Sequence, residues 1–357
     1  MTAPWITSLI PVVACLLACV SAVSCGAQGD RSSETGDPEP DVHVRVPAEW
    51  EPHAATWMQW PAQWEAAMRP AFADIIDVVQ GYEPVHLLTG TQPEMADARR
   101  FLSERGVPDT NITWHIVPTD SAWMRDNGPI YVTDGSETWI QNWGFTAWGG
   151  HFGADVPYEN DDVVPAKVGD YLGIAVEDRR DYVLEKGNLE FNGAGILVLN
   201  FDCQDDRNPR MTEAEHEAIL KKAFGLDRVI WAYGHTPGEG TIGHIDGTAR
   251  FIDRDTIAIA DSSWGAKTQA ALVAVCEEAG LEVVRIPCPG QTDYMNWLVG
   301  NGFIAAMTFG DQKADGAAKA VLESLFPDRE LHMIDASTLW SAGGGIHCVT
   351  NDQPVLP

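Results

Sequence analysis

A chain of 357 residues, 45% hydrophobic and 21% charged, has an ordinary globular composition and can bury a substantial core, as one large domain or two. Its 52 Asp and Glu against 23 Lys and Arg leave a formal net charge of −29. That balance argues against a nucleic-acid partner, which needs Lys and Arg to displace counterions, and suits a small cationic one, although a solvated acidic surface has the same composition.

Residues 1–25 stand apart from the rest. The run 6–23 is apolar apart from small residues, too short and too interrupted by Pro11 for a membrane span, and reads as a secretory leader. Leu16-Leu17-Ala18-Cys19 and Ala22-Val23-Ser24-Cys25 resemble bacterial lipoboxes, so Cys19 or Cys25 would carry a lipid anchor. Residues 26–44 would then be a flexible tether before a body at 45–357. No Lys or Arg precedes the apolar run, so a misassigned start codon is the competing reading. The expected address is the cell envelope if the leader is used and the cytoplasm otherwise. Outside the leader lie Cys203, Cys276, Cys288 and Cys348, too scattered for a disulfide framework. No CxxC pair or His/Cys cluster at ligand spacing points to zinc.

In the body, helical patterns at 63–79 and 93–104 alternate with strand patterns at 84–88 and 112–117. Hairpin signals follow. Runs 129–133 and 138–143 flank Asp134-Gly135, and 189–191 and 195–201 flank Asn192-Gly193. Runs 248–252 and 256–260 flank Asp253-Arg254-Asp255, and 294–299 and 303–309 flank Asn301-Gly302. The last three hairpins are each followed by a helix (212–224, 267–279, 314–326) and a strand (228–233, 281–287, 330–334). Thr212 is placed to cap the first of those helices and Gly280 to end the second. The turn centres are 58, 62 and 47 residues apart, and a unit of that size fits about five times into 45–357. Such a period predicts a propeller or another array, and a ring would turn equivalent points toward one axis.

Unusual polar residues keep one phase in that repeat. Trp123-Met124-Arg125-Asp126-Asn127-Gly128-Pro129 precedes the first hairpin, and Gly187-Asn188-Leu189-Glu190 opens the second. Gly243-His244-Ile245-Asp246-Gly247 precedes the third, Asn296 lies in the first strand of the fourth, and Gly343-Gly344-Gly345-Ile346-His347-Cys348 would open a fifth. Asp126 and Asp246 could each grip a planar guanidinium by paired N–H···O bonds, with Trp123 as a cation–π face. Cys348 would attack as a thiolate, its pKa lowered by the guanidinium or by a charged His244, and His244 would carry protons. No metal or cofactor is required. Taken singly, each has a plainer reading: Asp126 a salt bridge, His244 a structural histidine, Cys348 a small core residue, Trp123 packing, Asn296 a strand end. Their shared phase argues for them jointly.

These motifs are recognisable. The chain resembles the agmatine deiminases, within the wider family of bacterial peptidyl-arginine deiminases and the guanidine-modifying superfamily. The resemblance rests on Pro47-Ala48-Glu49-Trp50-Glu51-Pro52-His53, Ala122 to Pro129, Trp143 to Gly150, Gly243 to Asp246, and Gly343 to Thr350 with Gln353-Pro354. It implies an α/β fold of one domain, a five-bladed α/β propeller (pentein) with pseudo-fivefold symmetry, and a homodimer. It also implies Cys348 as nucleophile, His244 as acid and base, Asp126 and Asp246 as guanidinium ligands, and Asn296 and Glu190 near the substrate. The family's Glu-Gly-Gly run reads Glu185-Lys186-Gly187-Asn188 here, placing a cation close to the expected pocket, and Ile346 stands where Asn is common.

The stretch 141–162 contains no Lys or Arg but has Asp155, Glu159, Asp161 and Asp162. Such a loop would suit the free amine of agmatine over the carboxylate of arginine. The expected reaction is agmatine and water to N-carbamoylputrescine and ammonia. The alternatives are peptidyl-arginine deimination and, from another class, a non-catalytic lipoprotein that binds guanidinium or polyamine ligands.

Overall fold

The structure, a computed structural model, describes residues 44–262 and 266–357. The expected leader, lipid anchor and nearly all of the tether lie outside these residues. No helix among the described residues is long and apolar enough to cross a membrane.

Mixed α/β packing builds the body around five separate sheets. Four of them share a pattern in which a short strand pairs antiparallel with a central one, and the central strand pairs parallel with a third. They are Ile130–Thr133, Thr138–Gly144 and Val176–Val183; Glu190–Phe191, Ile196–Asn200 and Arg228–Ala232; Ala249–Phe251, Thr256–Asp261 and Glu282–Pro287; and Leu298–Gly300, Phe303–Thr308 and Glu330–Asp335. The four predicted hairpins are therefore present. The fifth sheet differs from expectation: no hairpin opens it. Asn351–Pro354, just after Cys348, pairs antiparallel with His53–Gln59, which continues in parallel to Val85–Thr89 and Ile112–Ile116.

A parallel connection needs a crossover, and each is a helix with one apolar face. In Arg69–Gln80, Phe72, Ile75, Ile76 and Val79 recur at helical spacing and are fully buried with Val85 and Leu87 of the next strand. Each such side chain contributes about 1.5–3 kcal/mol of burial. The sequence pattern suggests one helix over 63–79, but a 3₁₀ turn, Gln63–Met68, comes first. Pro70 explains the break, since it has no N–H to give the carbonyl four residues back. Thr212 does cap its helix, Glu213–Phe224, through a reciprocal bond with Glu215.

In every sheet the first strand is preceded by a short turn. These are Met124–Asn127, Lys186–Asn188, Ile245–Gly247, the segment carrying Asn296, and His347–Val349. The phase visible in the sequence is thus a phase of the fold.

Candidate active site

Cys348 sits at the centre of the last of these turns and is 8% exposed. Its Sγ lies 3.3 Å from Asn296 Nδ2 and 3.5 Å from Asp246 Oδ2. Asn296 Oδ1 accepts from the backbone N–H groups of His347 and Cys348, at 3.0 and 3.3 Å, so one amide side chain holds the turn that presents the thiol. Two glycines permit this approach. A Cβ on Gly344 would lie 2.4 Å from the Trp123 ring and 3.1 Å from Sγ, and one on Gly345 would lie 2.4 Å from Asn296 Oδ1. Burial, then the carboxylates of Asp246 and Asp126, push the Cys348 thiol well above its ordinary pKa. With the pocket empty it is a neutral thiol.

His244 faces two carboxylates. Its Nε2 lies 2.7 Å from Glu185 Oε2, while Nδ1 has no hydrogen-bond partner and stands 3.6 Å from Asp126 Oδ1. Burial opposes a charge on the ring, but Asp126, Cys203 and Glu185 outweigh it and hold the His244 pKa well above its usual value. Asp126 is fixed by the Trp148 indole N–H at 2.8 Å and by the Gly187 N–H at 3.1 Å. A Cβ on Gly187 would fall 2.5 Å from Asp126 Oδ1 and 2.7 Å from His244 Nδ1, so the position needs glycine for close approach. Burial raises the Asp126 pKa to about 6. Asp246 receives His347 Nδ1 at 2.8 Å; burial works against its charge, but the hydrogen bond from His347 brings its pKa down to about 2.

Behind this group lies a layer of buried charge. Arg125 and Lys186 both reach Asp352, at 2.7 and 2.8 Å, and Arg250 reaches Glu49 and Glu190, at 2.8 and 3.1 Å. Lys186 therefore points away from the pocket into a pair with Asp352, contrary to the cation expected beside the substrate. Glu190 is likewise displaced from its expected role: its carboxylate is taken by Arg250 and by the Phe251 N–H at 2.7 Å. Glu49, from the Pro47 to His53 motif, ties the layer to the site by holding His347 Nε2 at 2.8 Å. A cavity of about 20 Å³ among Glu49, Arg125, Lys186, Glu190, His347 and Asp352 has room for one water molecule. A surface groove of about 330 Å³ beside Tyr171 lies apart from all these groups.

The acidic stretch 141–162 is also used differently. Asp161 is fully buried and accepts from Ser121 Oγ at 2.7 Å and Asp120 N–H at 2.8 Å, while Asp162 accepts from Phe145 N–H at 2.8 Å. Two of its four acids are structural. The stretch reaches the site instead through its aromatics: Trp148 touches Asp126 and meets Trp123 edge-on at 6.5 Å between centroids. Trp148 sits at φ 55 and Ala147 at φ 48, left-handed values that cost non-glycine residues energy and gather at functional sites.

Residues 45–354 match the Porphyromonas-type peptidyl-arginine deiminase family. The chain belongs to that family. Among its relatives is the agmatine deiminase of Pseudomonas aeruginosa, 32% identical over 90% of this chain and 98% of the relative. The agmatine deiminase of Ectopseudomonas mendocina is 31% identical over 87% and 95%. The solved agmatine deiminase of Enterococcus faecalis superposes with a TM-score of 0.78 at 24% identity, covering 87% of this chain and 96% of that one, and shows the shared fold.

For this member of the deiminase family, the structure brings together Cys348, His244, Asp126, Asp246, Asn296 and Trp123. Sequence reasoning missed Glu185, His347 and Trp148. Glu185 had a visible signal, since it heads the Glu185-Lys186-Gly187-Asn188 run. Arg207 grips it with Nε at 2.8 Å and Nη2 at 3.1 Å, so Glu185 is a fixed orienting group for His244. Cys203, buried beside it, completes a Glu185, Cys203 and His244 set whose donor atoms lie within 4.8 Å of one another. A metal there would compete with the Arg207 guanidinium, which already neutralises the only carboxylate of the set.

Proposed function

We propose that the chain is a cysteine hydrolase that deiminates agmatine, giving N-carbamoylputrescine and ammonia. One observation carries this reading. Asp246 lies 3.5 Å from the thiol and Asp126 faces His244; both are buried carboxylates, and among the described residues neither is paired with a lysine or arginine. The arginines and lysine close by are committed to Glu49, Glu190 and Asp352. The cation that completes the site is then the substrate's own guanidinium, and the names of the relatives favour agmatine.

Chemistry follows from that placement. Guanidinium binding neutralises the two carboxylates that hold the thiol proton, so Cys348 ionises once substrate is present. The thiolate adds to the guanidinium carbon, and His244, charged in the free pocket, gives its proton to the departing nitrogen. Ammonia leaves and a thiouronium remains on sulfur. Neutral His244 then takes a proton from water and the oxygen adds to the same carbon; the C–S bond breaks as the new hydroxyl gives its proton to the departing sulfur, and the ureido product leaves with Cys348 restored as a thiol. Asn296 positions the nucleophile, and Glu185 with Arg207 positions His244. Trp123, against Gly344, offers the aromatic face beside the cation. The polar steps need no metal or cofactor. The five sheets, each entered through an equivalent short turn, fit a five-bladed propeller of pseudo-fivefold symmetry, with 45–357 as its single catalytic domain.

An end-point ureido assay with agmatine, arginine and an arginyl peptide tests the reading. Agmatine is expected to dominate; preference for the peptide would favour protein deimination, and no turnover of any would leave only a binding protein. The pH profile adds an independent check. Asp126 must be ionised to hold the cation, and its pKa is raised to about 6, so it is neutral below that value. The kcat/KM for agmatine is therefore expected to fall about tenfold per pH unit below pH 6, because kcat/KM reports ionisations of the free enzyme. A profile flat down to pH 5 would remove Asp126 from this role.

A further inference from the structure

Phe152 is an apolar ring, 43% exposed, at a place where packing alone gives it little reason to be. It meets Trp148 edge-on, with centroids 5.1 Å apart. Trp148 in turn binds Asp126 and meets Trp123, so the three aromatics run outward from the guanidinium ligands in one line. At its tip the Phe152 ring lies on bare backbone from two other segments. A Cβ on Gly240 would come within 2.4 Å of Cζ, and one on Gly343 within 3.3 Å of Cε1. Gly240 belongs to the loop leading to His244, and Gly343 to the run leading to Cys348. Three segments that each supply a group of the site thus converge under one side chain. His151, the preceding residue, pins the loop by a hydrogen bond between Nε2 and Asp206 Oδ2 at 2.9 Å, beside the arginine that holds Glu185.

We propose that Phe152 is the specificity-determining residue of this enzyme: it spans the pocket mouth between Gly240 and Gly343 and admits guanidines on a slender, unbranched chain while excluding arginine embedded in a polypeptide. Deimination needs the guanidinium at Cys348, so whatever bears it must pass under the ring. A tetramethylene chain ending in a small amine can lie along the apolar wall of Trp123, Trp148 and Phe152. A peptide backbone, with substituents on both sides of Cα, meets the ring itself. The glycines at 240 and 343 are part of the device, since any side chain there would lift the ring. Trp148 and Phe152 also hold the methylenes against apolar surface, so removing the ring should weaken agmatine binding more than it slows the chemical step.

This inference rests on the deiminase chemistry proposed for Cys348, and its test separates the two. Wild type, Phe152→Ala and Gly240→Ala are assayed with agmatine and with a blocked arginyl peptide. Gly240 has no left-handed φ, so alanine there meets the ring rather than the backbone. Both variants are expected to raise the peptide-to-agmatine ratio of kcat/KM by about 10- to 100-fold. In Phe152→Ala the agmatine KM should rise while kcat stays within about threefold. An unchanged ratio, or a wild type that already accepts the peptide as well as agmatine, overturns the proposal. A wild type inactive on every guanidine sinks the deiminase reading instead, and the gate is then judged by labelling Cys348 with a small haloacetamide and a bulky maleimide. Phe152→Ala should speed bulky labelling about tenfold relative to small, and equal rates in both proteins overturn the gate.

Discussion

Replacing Cys348 by Ser is expected to lower agmatine turnover by on the order of 10³-fold or more, with substrate binding changed only a few-fold. The two side chains are nearly the same size, and Asn296 and the His347 and Cys348 N–H bonds that shape the turn remain. What changes is acidity. Burial, and then Asp246 and Asp126, push the thiol well above its usual pKa, and the substrate cation relieves the repulsion from the two carboxylates. A serine hydroxyl starts several units higher, and the same relief leaves it protonated. Turnover by rapid quench, binding by calorimetry and the mass of the trapped adduct check this together. A covalent mass increment matching the thiouronium should appear with wild type and not with the variant. Equal turnover by the Ser variant would end the covalent mechanism.

Arg250→Met should cost about 3–5 kcal/mol of stability, the range for breaking a buried ion pair by removing one partner. Arg250 is 1% exposed and carries more than one load. Its guanidinium binds Glu49 and Glu190, donates to the carbonyl of Trp297 at 2.7 Å and lies over the Trp297 ring at 5.2 Å. Met fills similar volume but leaves the buried Glu190 carboxylate facing no cation and Glu49 with only the more distant Arg125, at 3.8 Å. Since domains are stable by only about 5–15 kcal/mol, a large part of the margin goes. Equilibrium urea denaturation measures it, and a loss within about 1 kcal/mol of zero would show that this charge layer contributes little. Adding Glu190→Gln to the Arg250→Met protein should restore part of the loss, because one stranded charge is then removed.

Much of this arrangement is legible in the amino-acid sequence. The hairpins at Asp134-Gly135, Asn192-Gly193 and Asn301-Gly302 announce themselves because each turn places its glycine at a left-handed φ, while Asp134 and Asn192 accept hydrogen bonds from backbone N–H groups of their own turns. The phase of Asp126, Asp246 and Cys348 is legible because each sits three or four residues before a first strand. Glu190 opens its strand instead of preceding it, and Arg250, 60 residues away, takes its carboxylate. Lys186 looks like a pocket cation because position along the chain does not say which way a long side chain turns. The acids of 141–162 read as charge alone, whereas Asp161 and Asp162 cap backbone N–H groups of their own surroundings. In the fifth sheet the strands Val85–Thr89 and Ile112–Ile116 are legible locally, but the antiparallel pairing of His53–Gln59 with Asn351–Pro354 is not, since no turn joins those two strands.

That last pairing governs when the enzyme comes into being. Trp57 Nε1 donates to Gln353 Oε1 at 2.8 Å across 296 residues of sequence, and Asn351–Pro354 is the strand that Cys348 immediately precedes. Contacts of such separation form late, since loop-closure entropy is lost before they repay it. A chain emerging from the ribosome can have brought Asp126, Glu185 and His244 together before His347 reaches Asp246 and Cys348 joins them. On the mechanism proposed above, the thiol that a bound guanidinium would turn into a nucleophile is then expected to join after the groups that restrain it.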